Sequence, residues 1–393
     1  MNDWRIAEVA EVAAVFNGKT PSKAEQRSKG HPVLKIRDVN EIGEYRGAFA
    51  SFVDLEFASK FANKHVQEGD SLILNAAHNA AYVASKTFRA QPPTFGALPT
   101  GEWLVIRPDA TVLDGGFAHH WVNSVRTRRE LRELVNGIHL YPKDVARLRI
   151  PIPPLPQQRR IARVLDRAEA LRAKRRAALA QLDSLTQSIF LDLFGDPVRN
   201  EKSWQIAKVV EICELVRGSS PRPQGDPMFF GGPVPRLMVA DITRDGWLVT
   251  PSIDSLTIEG AKRSRPVPRG TVVMAVSGNI GLVSRLAIDA CVHDGFVAFA
   301  GLDESKCEPG FLLATLHLSK ALHDKNKAGA IFINLTTTDI KAMSLPLPPI
   351  QLQRDFARRI AAVEKLKATH RASLAELDAL FASLQHRAFR GEL

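Results

Sequence analysis

Ile150-Pro151-Ile152-Pro153-Pro154-Leu155-Pro156-Gln157-Gln158-Arg159 returns 195 residues later as Leu345-Pro346-Leu347-Pro348-Pro349-Ile350-Gln351-Leu352-Gln353-Arg354. A long helical pattern follows each copy, so the chain is written twice, and a repeat of this kind decides the organisation before any local reading. Prolines donate no ladder hydrogen bond and hold the backbone extended, so Pro151, Pro153 and Pro154 are expected to end a strand. Pro156 suits the first turn of the helix that follows. A proline-rich peptide ligand is the alternative reading, disfavoured by the segment's place between two structured elements.

Upstream of each copy the repeat continues. Trp4-Arg5-Ile6-Ala7-Glu8-Val9 recurs as Trp204-Gln205-Ile206-Ala207-Lys208-Val209, and Glu11, Gly18 and Pro21 fall onto Glu211, Gly218 and Pro221, all at a spacing of 200. Ile36-Arg37-Asp38-Val39 aligns with Val239-Ala240-Asp241-Ile242 at 203, and Gly69, Asn79 and Val83 pair with Gly270, Asn279 and Val283. The drift reflects loops of different length on one framework. Short apolar runs entered from a Gly turn, Ser71–Leu74 and Thr271–Val276, predict strands, as do Trp103–Ile106 and Gly295–Phe299; Thr127–Asn136 and Glu308–Ser319 predict short helices. Each repeat is thus a mixed α/β (α+β) domain, a proline gate and a helix. The expected divisions are 1–150, 151–196, 197–345 and 346–393.

The helices carry a seven-residue apolar period. Ile161, Ala168, Leu182 and Ile189 share one line, interrupted by Arg175, and Val164, Leu171, Ala178 and Leu185 form the other. In the second copy Phe356, Val363, Leu377 and Leu384 share a line interrupted by His370, and Leu366 and Leu380 lie on the other, diluted by Arg359, Ser373 and Arg387. Such stripes are coiled-coil seams. A helix from Gln157 to Phe194 would be about 57 Å long and needs a partner; the other copy is the expected one. Gly195 and Pro197 are placed to end it.

Composition narrows the class. Lys plus Arg number 53 against 42 for Asp plus Glu, a formal net charge of +11, which favours a polyanionic partner such as nucleic acid. Three scattered cysteines, Cys213, Cys291 and Cys307, fit neither a disulfide framework nor a zinc ribbon. Met1-Asn2-Asp3-Trp4-Arg5 lacks the layout of a signal peptide, and no apolar run is long enough for a membrane span. The expected location is cytoplasmic.

A domain opening on Trp with a Gly-x-x-Pro turn, closing on Pro-Leu-Pro-Pro-like residues with Gln and a long helix, resembles a target-recognition domain. Present twice and ending in Ala388-Phe389-Arg390-Gly391-Glu392-Leu393, the arrangement resembles the specificity (S) subunit of type I restriction–modification systems over nearly the whole chain. The resemblance implies that each domain reads one half of a bipartite, asymmetric double-stranded DNA site. It implies that the helices pair antiparallel with pseudo-two-fold symmetry, set the spacer and dock two methyltransferase (M) subunits, and through them restriction (R) subunits. No cofactor is expected on this chain; S-adenosylmethionine, ATP and Mg would act on the other subunits.

Candidate DNA-contacting residues lie in polar, basic loops, since Arg, Gln and Asn can bond base edges while Lys more often holds phosphate. In the first copy these are Lys19, Thr20, Ser22, Lys23, Arg27, Lys29, Lys35, Arg37, His78 and Asn79. In the second they are Ser219, Ser220, Arg222, Gln224, Arg236, Arg244, Lys262, Arg263, Arg265, Ser277 and Asn279. The basic run Arg159, Arg160, Arg163, Arg167, Arg172, Lys174, Arg175 and Arg176 is an exposed helix face, a docking face or a contact to DNA between half-sites.

No catalytic motif completes itself. Asn17-Gly18-Lys19-Thr20 would need a glycine at Ala13 to be a phosphate loop. None of the Pro-Pro pairs carries the Asp or Asn before and aromatic residue after that an amino-methyltransferase requires. His119-His120 has no ligand partners at metal spacing and reads as structural. A non-catalytic subunit is therefore expected. A recognition subunit of a related bipartite-site system, a stand-alone nuclease or methyltransferase, and a coiled-coil protein-interaction scaffold are the alternatives.

Overall fold

The computed structural model describes residues 4–326 and 336–393, with side chains 321–326 left aside. Met1–Asp3 of the N-terminal reading and residues 327–335 of the second domain lie outside the described residues. The chain forms two compact units, Met1–Arg176 with Ala372–Leu393, and Ala177–Arg371. Each long helix, Leu155–Phe194 and Ile350–Ala388, gives one part of its length to each unit.

In the first unit a four-stranded antiparallel sheet runs in the order Ala13–Asn17, Trp103–Pro108, Ser71–Leu74, Thr87–Arg89. A smaller sheet joins Gln26–Arg27, Phe52–Val53, His31–Leu34 and Leu98–Pro99, the last pair parallel. In the second unit the main sheet is Glu214–Arg217, Phe296–Ala300, Val272–Ala275, Val283–Leu286, Leu248–Val249. Beside it lie Asp254–Leu256, Phe230–Leu237, Ala290–Val292 and Arg265–Val267. The expected strands at 71–74, 271–276, 103–106 and 295–299 and the helices near 127–136 and 308–319 are present, with most ends shifted by one to three residues and the helix expected to end at Ser319 running on to Asn326.

The two ends of the repeat signature bond to each other. Arg5–Glu8 pairs antiparallel with Arg149–Ile152, Ile6 opposite Pro151; Gln205–Lys208 pairs with Ser344–Leu347 in the same register, Ile206 opposite Pro346. Pro151 and Pro346 therefore lie inside strands rather than beyond them, which a two-stranded ribbon allows because each strand keeps an edge that needs no donor. Immediately after the prolines a glutamine pins the helix start. Gln158, fully buried, accepts from the Asp114 N–H at 2.8 Å and donates to the carbonyls of Val112 and Pro153 at 2.9 and 2.7 Å. Gly195, at φ +76°, ends the first long helix as expected.

Helix ends are core. In the first unit Ile161, Ala162, Leu165 and Ala388 pack with Phe117, Trp121 and Ile150. In the second, Phe190 meets Phe356 and Phe311 at 5.5 and 5.8 Å, and Phe194 meets Phe311 at 4.8 Å. Burial also corrects the seam. Ile161 and Ala168 on one helix, and Phe356 and Val363 on the other, are buried on the expected line. Leu171, Leu185, Leu366 and Leu380, assigned to the companion line, are 53, 45, 46 and 51 % exposed. The line that packs lies one residue further on: Leu165, Arg172, Leu179 and Thr186, and Ile360, Lys367, Leu374, Phe381 and Ala388. A seam alternates steps of three and four residues, and the sequence period alone does not say which step comes first. Val164 and Ala178 are half-buried at its border, as are Leu182 and Ile189 on the packed line and Leu377 and Leu384 on the other helix.

Polar side chains on the corrected line are paired within each unit. Arg172 bonds Asp378 at 2.5 Å, bonds Glu169 and stacks over Phe381 at 4.4 Å. Lys367, 195 residues on, bonds Asp183 at 2.7 Å and Glu364 at 2.6 Å. Asp183 and Asp378 are themselves 195 apart, so one ion pair is written twice with donor and acceptor helices exchanged.

Candidate nucleic-acid interface

In each unit the loop after the first strand of the main sheet crosses a segment far away in sequence, and a glycine makes the crossing possible. A Cβ on Gly18 would lie 2.1 Å from the Pro99 carbonyl oxygen, and one on Gly218 2.0 Å from that of His293. Both contacts are with backbone, which has nowhere to move. The crossing is then bonded. The Gly18 N–H donates to Trp103 O at 2.9 Å and the Lys19 N–H to Pro99 O at 2.7 Å. In the second unit the Gly218 N–H donates to Phe296 O at 2.9 Å and the Ser219 N–H to Val292 O at 3.1 Å.

This crossing gathers much of the first candidate set. Thr20 accepts from the Gly101 N–H at 2.8 Å and donates to Glu102 at 3.3 Å. Lys35 donates to Gln26 Oε1 at 2.9 Å, and its own N–H is held by Asp38 at 2.8 Å. Arg37 is exposed and spends one donor on Ala50 O. Lys19, exposed, lies over the Phe61 ring at 5.3 Å. Ser22, Lys23 and Lys29 are exposed on the same excursion; Arg27 pairs with Asp54 at 2.7 Å. His78 and Asn79 are exposed on a separate loop, where Asn79 caps the Ala81 N–H at 2.9 Å.

The second set is more heavily engaged. Arg236 is buried in a strand: its guanidinium bonds Asp254 at 2.5 Å and Ser220 at 3.0 Å and lies over Phe230, so it braces the sheet. Arg244 is held by Asp245, Ser252 and the Thr250 carbonyl at 2.6–2.8 Å. Those bonds hold it against its own turn, and the same pairing with Asp245 pushes its pKa up. Ser220 and Arg222 converge on Asp294 at 2.8 and 3.4 Å. Ser219 accepts on its carbonyl from Ser264 at 2.7 Å. Gln224, Lys262, Arg263 and Arg265 are exposed, Arg263 over the Phe229 ring at 4.5 Å. Ser277 and Asn279 flank Gly278 at φ +69°, and Asn279 accepts from Lys320 at 3.1 Å.

Sequence reasoning missed Thr100, Glu102, His293 and Asp294, which form the far side of both crossings. The paired glycines signalled a close approach, but nothing in the sequence named the segment approached. The adjacent histidines His119 and His120 are held inside the first unit. His120 bonds Asp166 at 2.7 Å, and burial pushes His119 down to about 3. Burial likewise raises the Cys213 and Cys307 thiols to about 11 and 12. Among the described residues no group of three or more His, Cys, Asp or Glu is placed to hold a metal ion, and no helix is long and apolar enough to cross a membrane.

Two α/β units, each carrying a polar loop crossing and a part of each long helix, define a duplicated α/β protein. Residues 201–379 match the type I restriction modification DNA specificity domain family. The chain is 22% identical over 430 residues to the type I restriction enzyme EcoKI specificity subunit of Escherichia coli K12, covering 99% of this chain and 89% of that one. It is 20% identical over 388 residues to the MjaX specificity subunit of Methanocaldococcus jannaschii, covering 93% and 87%. Among solved structures, the S subunit from M. genitalium aligns with TM-score 0.59 at 14% identity over 98% of this chain and 96% of that one. A chain of a type I R-M system, solved in a study of complex assembly, aligns with TM-score 0.53 at 20% identity over 99% and 98%. The chain is thus similar over nearly its whole length to specificity subunits of type I restriction–modification systems, and its residues 201–379 match their DNA specificity domain.

Proposed function

We propose that this chain selects a two-part DNA sequence for a type I restriction–modification enzyme and performs no chemistry itself. The domain at 1–150 reads one half-site and the domain at 197–345 the other, through the loop crossings at Gly18 and Gly218. The segments 151–196 and 346–393 supply proline gates and helices that pair as an antiparallel coiled coil with pseudo-two-fold symmetry and set the spacer. Their outer faces, including the leucines outside the seam and the exposed Arg159, Arg160, Arg163, Arg167 and Lys174, dock two methyltransferase subunits, with restriction subunits joining through them. S-adenosylmethionine, ATP and Mg act on those subunits.

The observation that carries this reading is one framework written twice with different loops: the same ribbon register, glycine crossing and ion pair, but different side chains at the tips. Matched scaffolds with unlike loops suit a site of two unlike halves. The test is methylome sequencing of cells expressing the assembled enzyme, before and after residues 1–150 are exchanged for those of another such subunit. One half of the recognised site should change and the other persist. A change in both halves, or methyl transfer by the isolated chain, overturns the reading.

A further inference from the structure

A cavity of about 310 Å³ opens where the Gly18 loop meets the Thr100–Glu102 turn, lined by Thr20, Gln26, Lys35, Arg37, Thr100 and Glu102 among others. We infer that this cavity reads a C·G base pair in the half-site of the first unit, an assignment that rests on the DNA-reading function proposed above.

Thr100 supplies the first argument. It is 2% exposed and lines the cavity, yet its Oγ1 has no hydrogen-bond partner among the described residues. Buried polar atoms are nearly always paired, so an unpaired hydroxyl on a residue lining a cavity marks a place where a ligand, with a small rotation of the side chain, completes the bonding. The surroundings are held in place to receive one. Thr20 is fixed between Gly101 and Glu102, and Lys35 between Gln26 and the Asp38 carboxylate.

The charges say which ligand. A cavity of Lys35 and Arg37 alone would take a phosphate, but the Glu102 carboxylate in the same wall repels one and asks for a hydrogen-bond donor. In the major groove a C·G pair offers the N4 amino group of cytosine as donor beside the O6 and N7 acceptors of guanine, matching a carboxylate beside two cations. Adenine is read by a bidentate amide, and the one amide here, Gln26, has its carbonyl committed to Lys35.

The second unit does not repeat the site. Lys35 and Met238 hold the same place, each with its N–H bonded to the carboxylate three residues on, Asp38 or Asp241, at 2.8 and 2.9 Å. On that alignment Arg37 becomes Ala240, so both cations are absent from the second copy. The C·G preference therefore belongs to one half of the site.

The experiment selects binding sites for the full-length chain and its variants from a duplex DNA library randomised across both half-sites. The wild type should fix a C·G pair at a position where Glu102→Gln lowers the preference roughly tenfold or more. Thr100→Val should weaken the same position, with the other half unchanged. Arg37→Gln, at an exposed side chain that leaves folding intact, should act there too and decides the matter if Glu102→Gln does not fold. Unchanged preferences in variants that still bind, or an effect at a pair other than C·G, overturn the inference. A wild type that selects no sequence overturns the DNA-reading function instead.

Discussion

Gln158 and Gln353, 195 residues apart, make the same three hydrogen bonds in their own units. Gln353 accepts from the Glu308 N–H at 2.9 Å and donates to Lys306 O and Pro348 O at 3.0 and 2.7 Å, repeating the Gln158 bonds to Asp114, Val112 and Pro153. Each amide ties the start of a long helix to the proline gate and to the segment leading into a second helix, Gly115–Val122 or Pro309–Asn326, so the direction in which the helix leaves its domain is built into the fold.

Replacing Gln158 by Leu strands one donor and two acceptors in a fully buried place. Each lost partner costs about 1–3 kcal/mol, so loss of several kcal/mol is expected, confined to the first unit. Urea unfolding followed by hydrogen exchange reads this; equal loss of protection in both units would contradict it.

The corrected seam makes a paired comparison possible. Leu165→Ala and Ile360→Ala remove buried side chains and should cost about 2–5 kcal/mol each. Leu171→Ala and Leu366→Ala, at exposed positions, should change stability by less than about 0.5 kcal/mol. Thermal denaturation of the four variants decides between the two lines.

Lys367 is buried between Asp183 and Glu364. Lys367→Asp should destabilise by on the order of 2–4 kcal/mol, because two carboxylates then face a third. Adding Asp183→Lys should recover part of the loss, and Lys367→Met should sit between the wild type and the single reversal. Absence of recovery in the double variant would mean the pair is not formed in solution.

The glycine crossings predict separable defects. Gly18→Ala places a methyl group against the Pro99 carbonyl and should weaken recognition of the first half-site only; Gly218→Ala, against His293, should weaken the second only. Selection from half-site-randomised DNA reads both.

His119 gives a pH dependence. Burial, with help from neighbouring His120 and Arg89, holds its folded pKa near 3 against an ordinary 6.5. The unfolded chain takes up the proton first, so the contribution is complete above pH 6.5 and is lost as pH falls from 6.5 toward 3. The slope is about 1.4 kcal/mol per pH unit. His119→Gln should flatten the melting temperature between pH 7 and pH 5; an unchanged slope would assign the acid sensitivity elsewhere.

The chain's order of residues alone determined the duplication, the strands and helices, the helix stop at Gly195 and the recurrence of glycine at 18 and 218. These depend on local backbone chemistry and on short-range periodicity, which the sequence writes out directly. Tertiary structure decided the rest. It chose the seam, because a seven-residue stripe fits a line three or four residues from its first. It buried Arg236 as a brace and left Arg37 open, because an arginine's role depends on what packs over it. It brought Thr100 and Glu102 to the Gly18 loop, a meeting across some eighty residues that folding alone arranges.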